Sequence, residues 1–218
     1  MVRAVIFDLD GVIVDTAKYH YLAWKRLARE LGFDFSEGDN EKLKGVSRMR
    51  SLDVLLETGG LQGRFTPQEK ERMAACKNGW YLEYVSAMAP DEILPGVTEF
   101  IGGLRGKGVK TALGSASRNT PLILSRLGIS GLFDVVVDGN MVSHAKPDPE
   151  VFVTAARLLG ENPADCVVFE DAQAGVEAAR NAGMRCVGVG DPATLSGADI
   201  AIFSFEGFTV EKFENEMQ

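Results

Sequence analysis

The sequence contains little cysteine and no long hydrophobic run. Its 218 residues include Cys76, Cys166 and Cys186, which are far apart and form no C-x-x-C pair. An odd number without a framework argues against a disulfide scaffold and predicts buried thiols in a reducing compartment. No apolar segment approaches the roughly 18 residues of a membrane span, and we see no signal peptide at the N-terminus. We therefore expect a cytoplasmic protein that does not contact membranes.

Positive charge is also scarce. Lys and Arg number 23 against 31 Asp and Glu, which gives a formal net charge of −8. A nucleic-acid-binding protein usually has a basic face, so we expect no nucleic-acid partner. The charge is compatible with a phosphorylated small molecule, because a metal ion and a few local cations can outweigh it. With 45% apolar and 25% charged residues, the composition is that of an ordinary globular protein with its own core. We see no sign of an oligomer interface and expect a monomer.

Short runs rich in β-branched residues recur along the chain and alternate with periodic helical segments. This alternation predicts an α/β fold, with a Rossmann-like parallel sheet and helices on both of its faces. The predicted strands are 4–9, 109–115, 133–138, 166–171, 185–190 and 198–204.

Residues 16–87 depart from this alternation, because they contain no convincing strand. Helical spacing predicts helices over 17–32 and 51–58, and a third helix that begins after Thr66. Thr66, Pro67 and Glu69 have the pattern of an N-terminal capping box. We therefore predict an α/β core made of residues 1–15 and 88–218, interrupted by a helical domain over residues 16–87.

The first predicted strand ends in the acidic stretch FDLDG. A buried carboxylate is costly unless it is paired, hydrogen-bonded or bound to metal. Asp8 and Asp10 are two residues apart, so their side chains can face the same side of the strand. Ligands of open parallel sheets bind beyond the carboxyl ends of the strands. We therefore expect both aspartates at the mouth of the sheet, where Gly11 permits a tight turn.

Other strand ends carry complementary groups. Glu170 and Asp171 end another apolar run, and a cluster of four carboxyl groups would need a hard cation such as Mg²⁺. A strand that ends at Ser115 and a loop that contains Lys146 add a hydroxyl group and an ammonium group. A carboxylate nucleophile with cations beside it suits phosphoryl transfer.

In this order, D-x-D-G, the strand-end serine, Lys-Pro and Glu-Asp resemble the four motifs of the haloacid dehalogenase superfamily. The resemblance spans essentially the whole chain, and the helical insertion is similar to the superfamily's cap domain. Within the superfamily the chain most resembles the β-phosphoglucomutases, through FDLDGVIVDTAKYHYLAW, LKGVSR, SASRN and EDAQAGVEA. This resemblance implies Mg²⁺-dependent interconversion of β-glucose 1-phosphate and glucose 6-phosphate, with an aspartyl phosphate and β-glucose 1,6-bisphosphate as intermediates.

The resemblance also implies roles for single residues. Asp8 would be the nucleophile and Asp10 the general acid and base. Ser115 and Lys146 would hold the transferred phosphoryl group, together with backbone N–H groups near Leu9 and Ala116. The implied metal ligands are Asp8, Asp10 through its backbone carbonyl, Glu170 and Asp171.

A second set of residues would bind the rest of the substrate. The second phosphate would contact Arg48, Ser117, Arg118 and Asn119. Thr16 and His20 would sense closure of the cap and position Asp10, beside Trp24. The sugar side of the cap would be lined by Lys44, Gly45, Val46, Ser47 and Lys77, although Lys77 could equally be a surface lysine. We expect Arg50 and His144 to be ordinary solvated residues, and the loop 138–145 departs from the family pattern.

Two other functions compete with this one. A Mg²⁺-dependent sugar-phosphate phosphatase would have the same core and the same first half-reaction. Val12 favours the mutase, because many hydrolases of the superfamily carry Thr after D-x-D-G. A non-catalytic binding module would be expected to have lost Asp8, Asp10, Lys146 or Asp171, and all four are present.

Overall fold

An apolar strand near the N-terminus lies in the middle of a parallel sheet. The computed structural model describes residues 2–43 and 48–217, and within these residues the sheet has six strands in the order β3-β2-β1-β4-β5-β6. The strands are β1 (Ala4–Phe7), β2 (Lys110–Gly114), β3 (Val135–Val137), β4 (Cys166–Glu170), β5 (Arg185–Val189) and β6 (Ile200–Ile202). All neighbouring pairs are parallel, which confirms the predicted α/β class.

Helices connect the strands and also form the segment that precedes β2. They are α1 (Ala17–Glu30), α2 (Glu37–Glu41), α3 (Arg48–Thr58), α4 (Pro67–Ser86), α5 (Val97–Gly106), α6 (Thr120–Leu127), α7 (Glu150–Leu159), α8 (Gln173–Asn181) and α9 (Val210–Glu216). In the described part of the chain, no helix has the length and apolarity that crossing a bilayer requires.

The chain divides into two compact units. One contains Met1–Asp15 and Met88–Gln218, and the other contains Thr16–Ala87. The first unit holds the sheet with α5 to α9, and the second holds α1 to α4. We call them the core unit and the helical unit.

The helical unit forms because α1 and α3 each bury apolar side chains against α4. Helix α4 begins at the predicted capping box, where the Thr66 side chain accepts a hydrogen bond from the Glu69 N–H and the Glu69 carboxylate accepts one from the Thr66 N–H. Helix α2 was not predicted. It has five residues, too few for a periodic pattern, and a second capping box at Ser36 and Asp39 initiates it.

Two of the three cysteines are buried and one is exposed. Cys166 and Cys186 are buried in the sheet as predicted, and burial raises the pKa of their thiols to about 11 and about 12. The prediction was wrong for Cys76, which is exposed. It lies on a helix rather than in a buried strand, and its position on α4 faces solvent.

The two faces of the sheet are packed in different ways. One face contributes Ile6 and Val168 to a cluster that includes Phe152 of α7 and Val176 of α8. The opposite face carries aromatic rings: Phe7 and Phe169, paired in register on β1 and β4, stack with their centroids 5.2 Å apart. The side chains of Phe100, Phe205 and Phe213 surround them. Both faces of the two central strands are thus held by core packing.

Truncating the centre of this aromatic cluster should destabilise the core unit. Phe169 is fully buried, so we expect Phe169→Ala to lower the free energy of unfolding by about 3–5 kcal/mol. Phe203, which is 79% exposed, provides the matched control, and Phe203→Ala should change it by less than about 0.5 kcal/mol. Urea denaturation followed by circular dichroism measures both. Equal losses would contradict this assignment of the core.

Candidate active site

The candidate site lies where three neighbouring strands end. Strand β1 lies between β2 and β4, and Asp8, Ser115 and Glu170 stand at the carboxyl ends of these strands. The Asp8 N–H donates to the Phe169 carbonyl at 2.9 Å, and the Ser115 N–H donates to the Val137 carbonyl at 3.0 Å. The predicted convergence of these groups therefore follows from the strand order.

Lys146 bridges the two buried carboxylates. Its Nζ lies 2.5 Å from Asp8 Oδ1 and 2.7 Å from Glu170 Oε2. Its side chain is only 11% exposed, so Lys146 is not a solvated surface lysine. Burial acts to lower the pKa of Lys146, but the carboxylates of Asp8 and Glu170 raise it above the usual lysine value. We therefore expect Lys146 to stay protonated between the two carboxylates at neutral pH.

Negative charge at this site exceeds what one lysine balances. Carboxylate oxygens of Asp8, Glu170 and Asp171 lie within 4.8 Å of one another. Burial, together with the charges of Asp8 and Asp171, raises the pKa of Glu170 above its usual range, although Lys146 acts in the opposite direction. Such a set of oxygen atoms is suited to a hard divalent cation.

Two glycines make room for these carboxylates. A Cβ atom added to Gly11 would lie 2.0 Å from Asp171 Oδ2, and the backbone there has a φ of +77°. A Cβ atom on Gly175 would lie 1.9 Å from Glu170 Cδ. Any side chain at either position would displace an acidic group of the site.

The turn after β1 carries the next predicted residues. Asp10 is partly buried, and its backbone forms a bridge with Val14, while the Gly11 N–H donates to the Val14 carbonyl at 2.8 Å. Leu9 is fully buried, so its side chain belongs to the core.

The loop after β2 is held by its own hydroxyl groups. Ser115, which is 1% exposed, accepts from the Ser117 N–H at 3.0 Å, and Ser117 accepts from the Asn119 N–H at 3.2 Å. Each hydroxyl group thereby keeps its own hydrogen to donate. Ala116 and Arg118 are exposed on the same loop.

The helical unit brings together a second group of predicted residues. Lys77 Nζ lies 2.8 Å from His20 Nδ1, and it also lies over the rings of Trp24 and Tyr81 at 4.5 and 5.2 Å from their centroids. Lys77 is 3% exposed, so the surface-lysine alternative was wrong. Its position on α4 faces the aromatic side chains of the unit.

Both basic groups have lowered pKa values. Burial, followed by the positive charge of Arg48, lowers the pKa of Lys77 to about 7. His20 is exposed, but the dense packing of atoms around its ring, with the charges of Lys77 and Arg48, lowers its pKa. We therefore expect a neutral imidazole at pH 7 that accepts a hydrogen bond from Lys77 at Nδ1.

Of the remaining predicted residues of this unit, three are described by the structure and four are not. Thr16 and Trp24 are buried at 1% and 3% exposure, and Arg48 is exposed at the start of α3. Lys44, Gly45, Val46 and Ser47 lie outside the described residues.

Arg50 and His144 are exposed, as predicted, and each has an acidic partner. Arg50 pairs with Glu57 at 3.1 Å, and His144 pairs with Glu150 at 3.0 Å.

Sequence reasoning missed two residues that contact predicted site residues. Tyr81 stacks on the His20 ring with centroids 4.1 Å apart. It could have been identified by its spacing of four residues from Lys77, which places both on one helical face. Asn140 donates to the Arg118 carbonyl at 3.1 Å, and the Asp-Gly-Asn turn at 138–140 was the available signal.

Comparisons with known proteins agree with this geometry. A family model described as "haloacid dehalogenase-like hydrolase" matches residues 2–183. The chain is 43% identical to the β-phosphoglucomutase of Bacillus subtilis, over 99% of this chain and 96% of that protein. It is 33% identical to a phosphorylated carbohydrates phosphatase of Thermotoga maritima, over 84% of this chain and 82% of that one. The crystal structure of a β-phosphoglucomutase from Clostridium difficile superposes with a TM-score of 0.88 at 41% identity, covering 99% of this chain and 97% of that one.

The lowered pKa of Lys77 should make stability depend on pH. The unfolded chain holds this proton up to about pH 10.5 and the folded chain only up to about pH 7. The free energy of unfolding should therefore gain up to about 1.4 kcal/mol per pH unit from this residue as the pH rises between these values. In Lys77→Met this gain should be lost.

Thermal and urea unfolding between pH 7 and 9.5 would measure the difference between the two proteins. Arg72→Met, at an exposed position of the same helix, is the matched control and should keep the wild-type pH dependence. A parallel dependence in wild type and Lys77→Met would contradict the lowered pKa.

Proposed function

The chain belongs to the haloacid dehalogenase-like hydrolase family, and from this premise we propose that it is a β-phosphoglucomutase. The reaction interconverts β-glucose 1-phosphate and glucose 6-phosphate. The observation that carries the proposal is the similarity to the Bacillus subtilis β-phosphoglucomutase across 99% of the chain. This similarity includes the helical unit, where a substrate preference can be encoded, as well as the core unit.

The arrangement of the core unit supports phosphoryl transfer to Asp8. In this proposal an Asp8 carboxylate oxygen attacks a phosphorus atom of β-glucose 1,6-bisphosphate. The bond from phosphorus to the sugar oxygen breaks, which releases a sugar monophosphate and leaves Asp8 phosphorylated. Asp10 donates its proton to the departing sugar oxygen. The Ser115 hydroxyl group and the Lys146 ammonium group bind the phosphoryl oxygens, together with backbone N–H groups near Leu9 and Ala116.

The acidic cluster fits Mg²⁺. Asp8, Glu170 and Asp171 supply hard oxygen ligands, and the excess of carboxylates over Lys146 matches the charge of a divalent ion. The backbone carbonyl of Asp10 is the fourth proposed protein ligand. When bound, Mg²⁺ neutralises charge on the phosphoryl group and on Asp8.

The second half-reaction needs a second phosphate site. The phosphorylated Asp8 transfers its group to the free hydroxyl of a sugar monophosphate, which forms β-glucose 1,6-bisphosphate, and Asp10 accepts the hydroxyl proton. The bisphosphate then reorients and returns its other phosphate to Asp8. We assign binding of the phosphate that is not reacting to Arg48, Ser117, Arg118 and Asn119, because guanidinium groups bind phosphate with two parallel hydrogen bonds.

We assign the helical unit the role of a cap that excludes water from the aspartyl phosphate. Thr16 and His20 position Asp10 in this proposal, and Trp24, Lys77 and residues 44–47 contribute to the sugar side. The cytoplasmic location and the monomeric state expected from the sequence stay predictions.

A coupled assay tests the proposed function. Purified protein receives β-glucose 1-phosphate, Mg²⁺ and a trace of β-glucose 1,6-bisphosphate, and glucose 6-phosphate and inorganic phosphate are measured in parallel. We expect glucose 6-phosphate to form with little release of inorganic phosphate, because the sugar hydroxyl and not water attacks the aspartyl phosphate. Release of phosphate in proportion to substrate consumed would instead support a sugar-phosphate phosphatase.

The matched control for this assay is Asp8→Asn. This change keeps the size of the side chain but removes the nucleophile, so turnover should fall below detection while the circular dichroism spectrum stays unchanged. Measurable turnover by this variant would contradict the assignment of Asp8.

The proposed metal site can be tested without turnover. Asp171→Asn should weaken Mg²⁺ binding by about tenfold or more, because a charged oxygen ligand becomes neutral. Isothermal titration calorimetry with MgCl₂ measures the affinity directly. Asp91→Asn, at an exposed position of the core unit, should bind Mg²⁺ as the wild type does, and an unchanged affinity in Asp171→Asn would remove this residue from the ligand set.

A further inference from the structure

We propose that Asn140 is a positioning residue for substrate binding, acting through the backbone of the loop 115–119. The inference rests on the proposed function, because it assigns this loop to recognition of the second phosphate. Asn140 lies in the loop 138–145, which connects β3 to Lys146 and has no assigned role in the proposed reaction.

The Asn140 side chain ties two loops together. Its Nδ2 donates to the Arg118 carbonyl at 3.1 Å and to Asp138 Oδ2 at 3.2 Å. The Asn140 N–H donates to Asp138 Oδ1 at 2.8 Å. One amide group thus holds the backbone at Arg118 against a carboxylate of the neighbouring loop.

Asp138, which accepts hydrogen bonds from Asn140, is attached to the sheet. Asp138 is 7% exposed and directly follows β3. Strand β3 pairs with β2, and the Ser115 N–H donates to the carbonyl of Val137. Asn140 therefore connects the outer part of the loop 115–119 to a rigid element, which limits the motion of this loop before substrate binds.

Gly139 allows the two loops to approach closely. Its N–H donates to the Ser117 carbonyl at 3.1 Å. A Cβ atom at this position would lie 2.2 Å from the carbonyl oxygen of Ala116 and 3.1 Å from the backbone nitrogen of Arg118. Because both neighbours are backbone atoms, a side chain would push the loops apart. Gly139 therefore affects the position of the loop 115–119 by allowing close contact, and Asn140 affects it by a side-chain hydrogen bond.

This placement predicts an effect on binding rather than on chemistry. Asn140 contacts the carbonyl of Arg118, whose side chain is assigned to the phosphate that does not react. The transferred phosphoryl group is assigned to Asp8, Ser115 and Lys146. In the part of the chain that the structure describes, Asn140 instead donates its hydrogen bonds to Arg118 and Asp138. Loss of the amide group should weaken binding of a sugar phosphate and leave phosphorylation by a small donor unchanged.

The experiment compares two substrates in the full-length protein with Mg²⁺. One is β-glucose 1-phosphate, measured by the coupled assay, and the other is acetyl phosphate, which has one phosphate and no sugar. Asn140→Ala should raise the KM for β-glucose 1-phosphate by about fivefold, the size expected for one partly exposed hydrogen bond. Its kcat and its rate with acetyl phosphate should stay within about twofold of wild type.

Two further variants separate the hydrogen bond from other effects. Asn140→Asp keeps the shape of the side chain but has no N–H group to donate, so its KM should rise at least as much. Gly139→Ala should raise the KM as well, through displacement of the loop. Met141→Ala is the matched control, because Met141 is 51% exposed in the same loop, and its kinetics should equal those of wild type. Thermal unfolding of each variant confirms that it is folded.

The outcomes distinguish this inference from the proposed function. A wild-type KM in both Asn140 variants would overturn the inference, and so would an equal loss of activity with acetyl phosphate. Release of inorganic phosphate by the wild type would overturn the mutase proposal instead. The KM for hydrolysis of β-glucose 1-phosphate would then be compared between wild type and the Asn140 variants in place of the mutase KM. The inference about Asn140 would thus still be tested.

Discussion

The need to balance buried negative charge governs the carboxyl end of the sheet. Asp8 and Glu170 come from adjacent strands, and neither is more than 7% exposed. Two carboxylates so deeply buried are stable only with a cation between them, and Lys146 supplies it from a loop that follows β3. Gly11 and Gly175 are part of the same constraint, because they leave the space that the acidic groups fill. Removing the charge of Asp8, Glu170 or Lys146 therefore changes the electrostatic environment of the other two side chains.

The rigidity of the strands beneath the site makes this balance useful for catalysis. Phe7 directly precedes Asp8 and Phe169 directly precedes Glu170, and the two rings stack in the aromatic cluster. The carboxylates are therefore attached to backbone that packing holds on both faces of the sheet. Charged groups that are fixed in advance need little reorganisation when the charge of a reaction develops.

Much of the core and its acidic site could be predicted, because strand ends and motif residues are local features of the sequence. Each strand lies within its predicted segment. Strand β1 ends at Phe7 and not at Leu9, because the backbone leaves the strand after Phe7 and carries Asp8 and Asp10 into the following turn. The burial of Lys77 and the partners of Tyr81 and Asn140 were harder to predict. Helical spacing and a turn motif point to Tyr81 and Asn140 themselves, but their partners depend on contacts between distant segments, such as Lys77 with His20 and Asn140 with Arg118.

The central position of β1 also determines when the core can assemble. Ala4 lies opposite Lys110 on one side and Cys166 on the other, so β1 finds both of its partners only after synthesis has reached β4. The helical unit, by contrast, is one continuous segment, Thr16–Ala87. During synthesis the inserted helices can therefore fold while β1 is still unpaired. Until its partner strands have been synthesised, the fully apolar strand β1 is exposed. The acidic residues that follow it add local charge that disfavours aggregation during this time.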